Sequence, residues 1–193
     1  DVIELEPENV IAHRELGLIH MRQGNYQDAV QHFEKLVDLA LDESELQSGY
    51  LRLGEIHLEH LGNSSRATEA FQLAQGVKPS SEGLLGLADA YLAGGEVDLA
   101  HLTYRRLERR GDDENLRLVS VLGQVAALIA GDRQAEAIRR LGALELSENP
   151  PSSGRSIAAR LLAGKEQLRP DLRSMLVRFI EFGVDEAPSA IAR

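Results

Sequence analysis

The sequence predicts an all-α protein, an α-solenoid of helix-turn-helix repeats that ends in an atypical pair of helices. Three observations lead there. The composition is 43% hydrophobic but only 4% aromatic, with no Trp, so a core must be built from Leu, Ala, Ile and Val, a mixture that favours helices over a β-sandwich. One spacing of small, apolar and aromatic residues returns along the chain. Glycine and asparagine also break the helical periodicity at the same place in each return.

The first block carries Leu16-Gly17, His20, Ala29, Phe33 and Leu36. The second carries Leu53-Gly54, His57, Ala67, Phe71 and Ala74, and the third Leu87-Ala88, Tyr91, Ala100, Tyr104 and Leu107. The first and third superpose residue for residue; the second needs one extra residue, expected in its turn near Gly62-Asn63-Ser64. Each block reads as two amphipathic helices, because apolar residues return at three and four positions on either side of one break. Gly24-Asn25 and Gly94-Gly95 supply helix ends, Asn25 or Ser64 is expected to cap the helix that follows, and Pro7 and Pro79 precede first helices.

A fourth, degenerate unit is expected over 114–149, marked by Leu122-Gly123, Gly131-Asp132, Ala137, Leu141 and Leu144, with one or two residues inserted in its turn. The units run about 10–43, 47–80, 81–113 and 114–149. Residues 1–9, "DVIELEPEN", read as the end of a preceding repeat, so the chain is expected to be a piece of a longer array. After "NPPSSG" two further helices, "RSIAARLLAGKEQL" and "PDLRSMLVRFIEFG", are expected to cap the last unit within 150–193. The second has the apolar stripe Leu172, Met175, Leu176, Phe179 and Ile180, and Pro170 and Gly183 bound it.

The pattern resembles the tetratricopeptide repeat, a helix-turn-helix unit of about 34 residues. The resemblance implies that the small residues Gly17, Gly54 and Ala88, and Ala29, Ala67 and Ala100, let the two helices of a unit approach closely. It implies that Phe33, Phe71 and Tyr104 fill the space between units. The family's Trp is absent, replaced by His13, Tyr50 and Leu84.

First helices of such arrays line a concave groove that binds peptides or helices. Repeat phase then implies a groove of Ile11, Arg14, Glu15, Leu18, Met21 and Arg22 in the first unit. The second would add Leu51, Arg52, Glu55, Leu58 and Glu59, the third Glu82, Leu85, Asp89, Leu92 and Ala93, and the fourth Arg117, Ser120, Val121 and Gln124. The leucines and Met21 would form an apolar floor between charges, although some of them could instead pack against a neighbouring unit. Co-chaperones of this family grip a carboxyl terminus with Lys and Asn, then Asn, then Lys and Arg. Here Arg14, Leu18, Arg52, Glu82 and Gly86 stand there, and Glu82 would repel a carboxylate.

The same residues argue against other functions. With no cysteine there is no disulfide framework, thiolate nucleophile or Cys-based zinc site, and the compartment stays open. No apolar run reaches the roughly 20 residues of a membrane span. A net charge of −10 argues against a nucleic-acid partner. The charge is uneven: residues 1–100 carry 6 basic and 18 acidic side chains, residues 101–193 carry 15 and 13. Only three basic residues are Lys, a bias that hints at a GC-rich bacterial source.

His57 and His60 with Glu59, or His13 with His20, could sit near a metal, but no third ligand is placed, so packing is the expectation and no cofactor is predicted. No nucleophile elbow, P-loop or Rossmann fingerprint is present. Arg105, Arg106, Arg109, Arg110 and Arg117, with Arg133, Arg139 and Arg140, could meet an acidic partner, though outward solvated positions explain most of them. The expectation is a non-enzymatic scaffold for a protein or peptide partner, within a larger bacterial protein or a secretion or envelope assembly. Two alternatives are an accessory domain of an enzyme whose catalytic part lies elsewhere, and self-association.

Overall fold

Three-residue turns set the register of the array. The computed structural model describes residues 8–110, 114–143, 158–159, 161–163 and 168–181. Helix α1 (Val10–Arg22) ends where Gly24 takes a φ of 77°, a left-handed conformation that side chains resist. That kink lets the Gly24 N–H donate to the Met21 carbonyl at 3.1 Å and the Asn25 N–H to the His20 carbonyl at 2.9 Å, which satisfies carbonyls the helix would otherwise leave open. The same pair of bonds recurs from Gly95 and Glu96 to Leu92 and Tyr91, and from Asp132 and Arg133 to Ile129 and Leu128.

The chain divides into two units, 1–96 and 97–193. In the first, α1 packs on α2 (Tyr26–Leu39), α2 on α3 (Glu43–Glu55), α3 on α4 (Ser64–Val77) and α4 on α5 (Ser81–Ala93). Helix starts are capped as their sequences allow: Asn9 accepts from the Ala12 N–H at 2.9 Å, Asp42 from the Ser44 and Glu45 N–H groups, and Ser80 from the Gly83 N–H. Asn63, rather than Ser64, caps α4, because Ser64 is already helical. Asn25 precedes α2 without a side-chain capping bond.

The extra residue of the second repeat lies in a helix, not in the turn. Helix α3 runs on as a π-helical segment, Ile56–His60, whose wider coil is closed by the Leu61 N–H on the Ile56 carbonyl at 3.0 Å. The turn after it, Leu61 to Asn63, keeps the length of the others, with Gly62 at a φ of 61°. The extra residue is thus absorbed upstream of a turn of unchanged length.

Aromatic rings on glycines hold this unit together. A β-carbon on Gly17 would lie 2.9 Å from the Phe33 ring, and one on Gly54 2.7 Å from the Phe71 ring. Gly86, on the next first helix, approaches the same edge of Phe71 more closely still. Phe71 thus fills the space within its own pair and against the following helix. Gly49 meets Val37 and Leu36 in the same way.

In the second unit, α6 (Val97–Glu108) packs on α7 (Glu114–Ala130), α7 on α8 (Gln134–Gly142), and α8 on α9 (Pro170–Glu181). Tyr104 of α6 lies against Gly123 of α7, as Phe71 lies against Gly86. That contact and the left-handed Asp132 (φ 57°) correct the expected register of the fourth repeat by two residues. Val125, not Gly123, occupies the place of Gly17, Gly54 and Ala88, and no residue is inserted in the turn. Leu141 then stands where Phe33 and Phe71 stand, so a smaller partner accompanies the bulkier valine in one buried cluster.

Leu168, Leu172 and Leu176 join that cluster with Leu122, Val125 and Ile129. The C-terminal stripe, in which Met175 and Ile180 are partly buried, therefore covers apolar residues of the fourth repeat. Residues 1–7 of the expected end of a preceding repeat, "NPPSSG", Leu144, Gly183 and most of the helix expected before α9 lie outside the described residues.

Candidate binding surfaces

The first helices α1, α3 and α5 all belong to the first unit and carry the residues expected in the groove. Ile11 is 58% exposed, and Glu15, Arg22, Glu59, Glu82 and Ala93 are exposed. Arg14, Arg52, Glu55 and Asp89 are half-buried, with ion pairs between Arg14 and Glu15 (3.3 Å) and between Arg52 and Glu55. Each cation is thus partly neutralised along its own helix.

The apolar residues divide. Leu18 and Met21 pack against the cluster around Phe33, and Leu51 and Leu58 against the cluster around Phe71. Leu85 and Leu92 are half-buried outside those clusters. In the fourth repeat, Ser120, Val121 and Gln124 are buried, while Arg117 is exposed. Its corrected register puts Leu122 and Ile129 where Leu85 and Leu92 stand, and these are 0% and 2% exposed, within the cluster that includes α9. The positions half-buried on α5 are therefore buried on α7.

The histidines separate into distinct environments. His13 and His20 of α1 receive a neighbour the sequence gave no reason to choose, His32 of α2. The Nδ1 atoms of His13 and His32 are 3.1 Å apart, and His20 stacks on His32 with ring centroids 5.3 Å apart. Burial, then the nearby His13 and His20, push the His32 pKa below the usual histidine value, against the opposing charge of Asp28. His60 stacks on Tyr26 at 3.9 Å, whereas His57, three residues away, is buried with an Nδ1 that has no hydrogen-bond partner. Among the described residues no three metal-ligating side chains are grouped to hold an ion.

Two clefts open between successive second helices, one in each unit. In the first, α2 and α4 form the walls and α3 the floor of a cleft of about 290 Å³, with Glu34, Arg66, Glu69 and His57 around it. Burial and the charge of Arg66 lower the His57 pKa, opposed by Glu34. In the second unit, α6 and α8 form the walls and α7 the floor of a cleft of about 480 Å³. Counted from the left-handed residue of the preceding turn, Glu34 and Arg105 hold one repeat position, Arg66 and Glu136 a second, Glu69 and Arg139 a third. The two clefts occupy equivalent places in the array with opposite charge at each of these positions.

The second cleft has an ordered polar floor. Gln124, 1% exposed, donates through Nε2 to Glu108 at 2.9 Å and accepts from Arg140 Nε at 3.0 Å, while Arg140 also pairs with Glu108. Burial by itself would raise the Glu108 pKa; the hydrogen bonds from Gln124 and Arg140 and the charges of Arg140 and Arg117 outweigh it and hold the carboxyl below the usual range.

These hairpins, with their recurring Gly–aromatic contacts and three-residue turns, define the class. Residues 10–42, the α1–α2 pair, match the tetratricopeptide repeat family. Its fold is similar to that of the crystal structure of MamA protein, with a TM-score of 0.63 and 19% identity over 88% of this chain and 84% of that one. No curated protein matches the chain. The architecture is that of a protein-interaction scaffold. No helix among the described residues is long and apolar enough to cross a membrane.

Proposed function

We propose that the chain is a non-enzymatic scaffold that holds a segment of a protein partner, an amphipathic helix or an extended peptide, on the face of α1, α3 and α5, within a larger bacterial protein or a secretion or envelope assembly. The observation that carries this reading is the placement of exposed Ile11 and half-buried Leu85 and Leu92 on first helices that also carry Arg14, Arg52, Glu55, Glu59 and Asp89. Apolar anchors amid mixed charge suit a partner whose apolar side chains insert while its polar ones pair at the rim. Glycine–aromatic packing behind that face makes it rigid before binding, so little conformational entropy is lost on the scaffold's side.

The test is a pull-down from an extract of the source cells, followed by peptide mapping, that compares wild type with Leu85→Glu plus Leu92→Glu. These two positions are preferred to Leu51 and Leu58, which pack against the core and would confuse lost binding with lost folding. Loss of the recovered partners by a variant with an unchanged circular dichroism spectrum is expected. Recovery of the same partners by that folded variant would refute the groove.

A further inference from the structure

The cleft between α6 and α8 carries more positive charge than its own carboxylates neutralise. Glu108 is committed to Arg140 and Gln124. Glu136 takes both prongs of Arg133, with Nε to Oε1 at 2.9 Å and Nη2 to Oε2 at 2.7 Å, and Asp98 lies 3.3 Å from the same guanidinium. Arg105, Arg109 and Arg139 remain around the cleft, exposed, and their guanidinium groups form no hydrogen bond or ion pair with another described residue. Three guanidiniums around one concavity repel one another unless an anion lies between them. They are also rich in paired N–H donors suited to carboxylates.

We infer that this cleft is a second binding site, for an acidic peptide segment of a protein partner, with Arg105, Arg109 and Arg139 receiving its carboxylates and Leu128 and Ala143 its apolar side chains. Three features support a peptide of this chemistry. The floor combines apolar Leu128 with the buried amide of Gln124, whose nitrogen and oxygen each already have a partner, so a side chain can settle on it without stripping an unpaired polar group. Glu108 and Glu136 interrupt the basic surface, which disfavours the continuous track a nucleic-acid backbone needs, as does the chain's overall charge of −10. The equivalent cleft of the first unit has Glu34, Arg66 and Glu69 where this one has Arg105, Glu136 and Arg139, so the basic character belongs to this cleft and not to the repeat. The walls of the site are the second helices α6 and α8, its floor is α7, and none of its residues belongs to α1, α3 or α5.

The experiment uses the whole chain and fluorescence anisotropy of a fluorescein-labelled peptide of alternating Glu and Leu. The probe is compared with its Gln counterpart and with an oligothymidylate of matched charge. Wild type is expected to bind the Glu peptide, to release it as salt rises, and to bind the other two more weakly. Arg105→Glu with Arg139→Glu should weaken Glu-peptide binding by roughly tenfold or more. Arg106→Glu with Arg110→Glu, the same charge change at exposed positions outside the cleft, should alter it by less than about threefold. Arg109→Gln, a milder change, gives a second reading should the double variant unfold, and a several-fold loss is expected. No binding by wild type, equal loss from both double variants, or equal binding of the Gln peptide or the oligonucleotide would overturn the site.

Discussion

The two units share turns and differ in what they put between them. The first places Phe33 and Phe71 against glycines, and Phe71 has a glycine on each of two successive first helices. Among its described residues the second repeats this only at Tyr104 and Gly123; the α7–α8 hairpin has Val125 and Leu141 instead and gains Leu172 and Leu176 from α9. Spacing is therefore the conserved quantity and volume is conserved only in pairs. A large ring needs a residue without a side chain opposite it, whereas a leucine tolerates a valine.

The largest expected effect tests that difference at its centre. Phe71→Ala removes a buried ring that two helices share and should cost about 3–5 kcal/mol, against about 2–4 kcal/mol for Leu141→Ala, measured by urea unfolding. Equal losses would mean that the ring has no special place. Next comes overpacking: Gly86→Ala and Gly123→Ala should each destabilise by about 1–3 kcal/mol, because the new methyl group meets Phe71 or Tyr104. Unchanged stability of either variant would show that the ring can shift aside, and the comparison would lose its steric basis.

The turns provide a smaller and opposite change. Gly24, Gly62 and Gly95 take the left-handed conformation in three repeats, and Asp132 takes it in the fourth. Asp132→Gly should stabilise the protein by up to about 1 kcal/mol, seen as a higher urea midpoint with the same slope. A lower midpoint would mean that the aspartate side chain contributes more than its backbone strain costs.

The smallest effect is the response to pH. His32 and His57 in the first unit and His101 in the second all have lowered pKa values, with burial the leading cause in each. A histidine held neutral in the folded state adds no pH dependence well above the unfolded pKa of about 6.5. As pH falls through that value the unfolded chain takes up protons first, so stability declines until the lowered folded pKa is passed. Glu108 and Glu136 also have lowered values, so the stability they contribute is lost only at lower pH, as the medium falls through the carboxylate range. Replacing His32 and His57 by Asn should flatten the decline between about pH 7 and pH 5 more than replacing His101 does. An unaltered slope in the double variant would assign the decline to other groups.

Much of the frame was legible because a few residue types meet strict geometric demands. Gly17, Gly54, Ala29, Ala67, Phe33 and Phe71 are buried or in contact as the family resemblance implied, since helix approach admits few alternatives. The fourth repeat was misread by two residues because Gly123 was taken for the marker of its own hairpin. It serves instead as the space for Tyr104, and both roles require glycine. His32 escaped notice because it lies on a different helix from His13 and His20, and no periodicity within one helix links the three. The apolar groove residues were ambiguous for a similar reason: a leucine half-turned toward a neighbour and one turned toward a partner occupy the same phase of the pattern, and only packing separates Leu51 and Leu58 from Leu85 and Leu92.

The sequence by itself determined the class of fold, the repeat, its turns and the excess of arginine in the second half, because periodicity, glycine placement and charge are local properties of a chain. Tertiary structure decided three things that depend on which helices meet. It moved the extra residue of the second repeat into a π-helical segment, so that the turn before α4 keeps the three residues of the others. It buried on α7 the positions that are half-buried on α5, since Leu122 and Ile129 share one cluster with Leu172 and Leu176 of α9. It also turned scattered charges on second helices into two equivalent clefts of opposite sign, since Arg105 and Arg139, far apart in the chain, become neighbours only when α6 and α8 pack against α7.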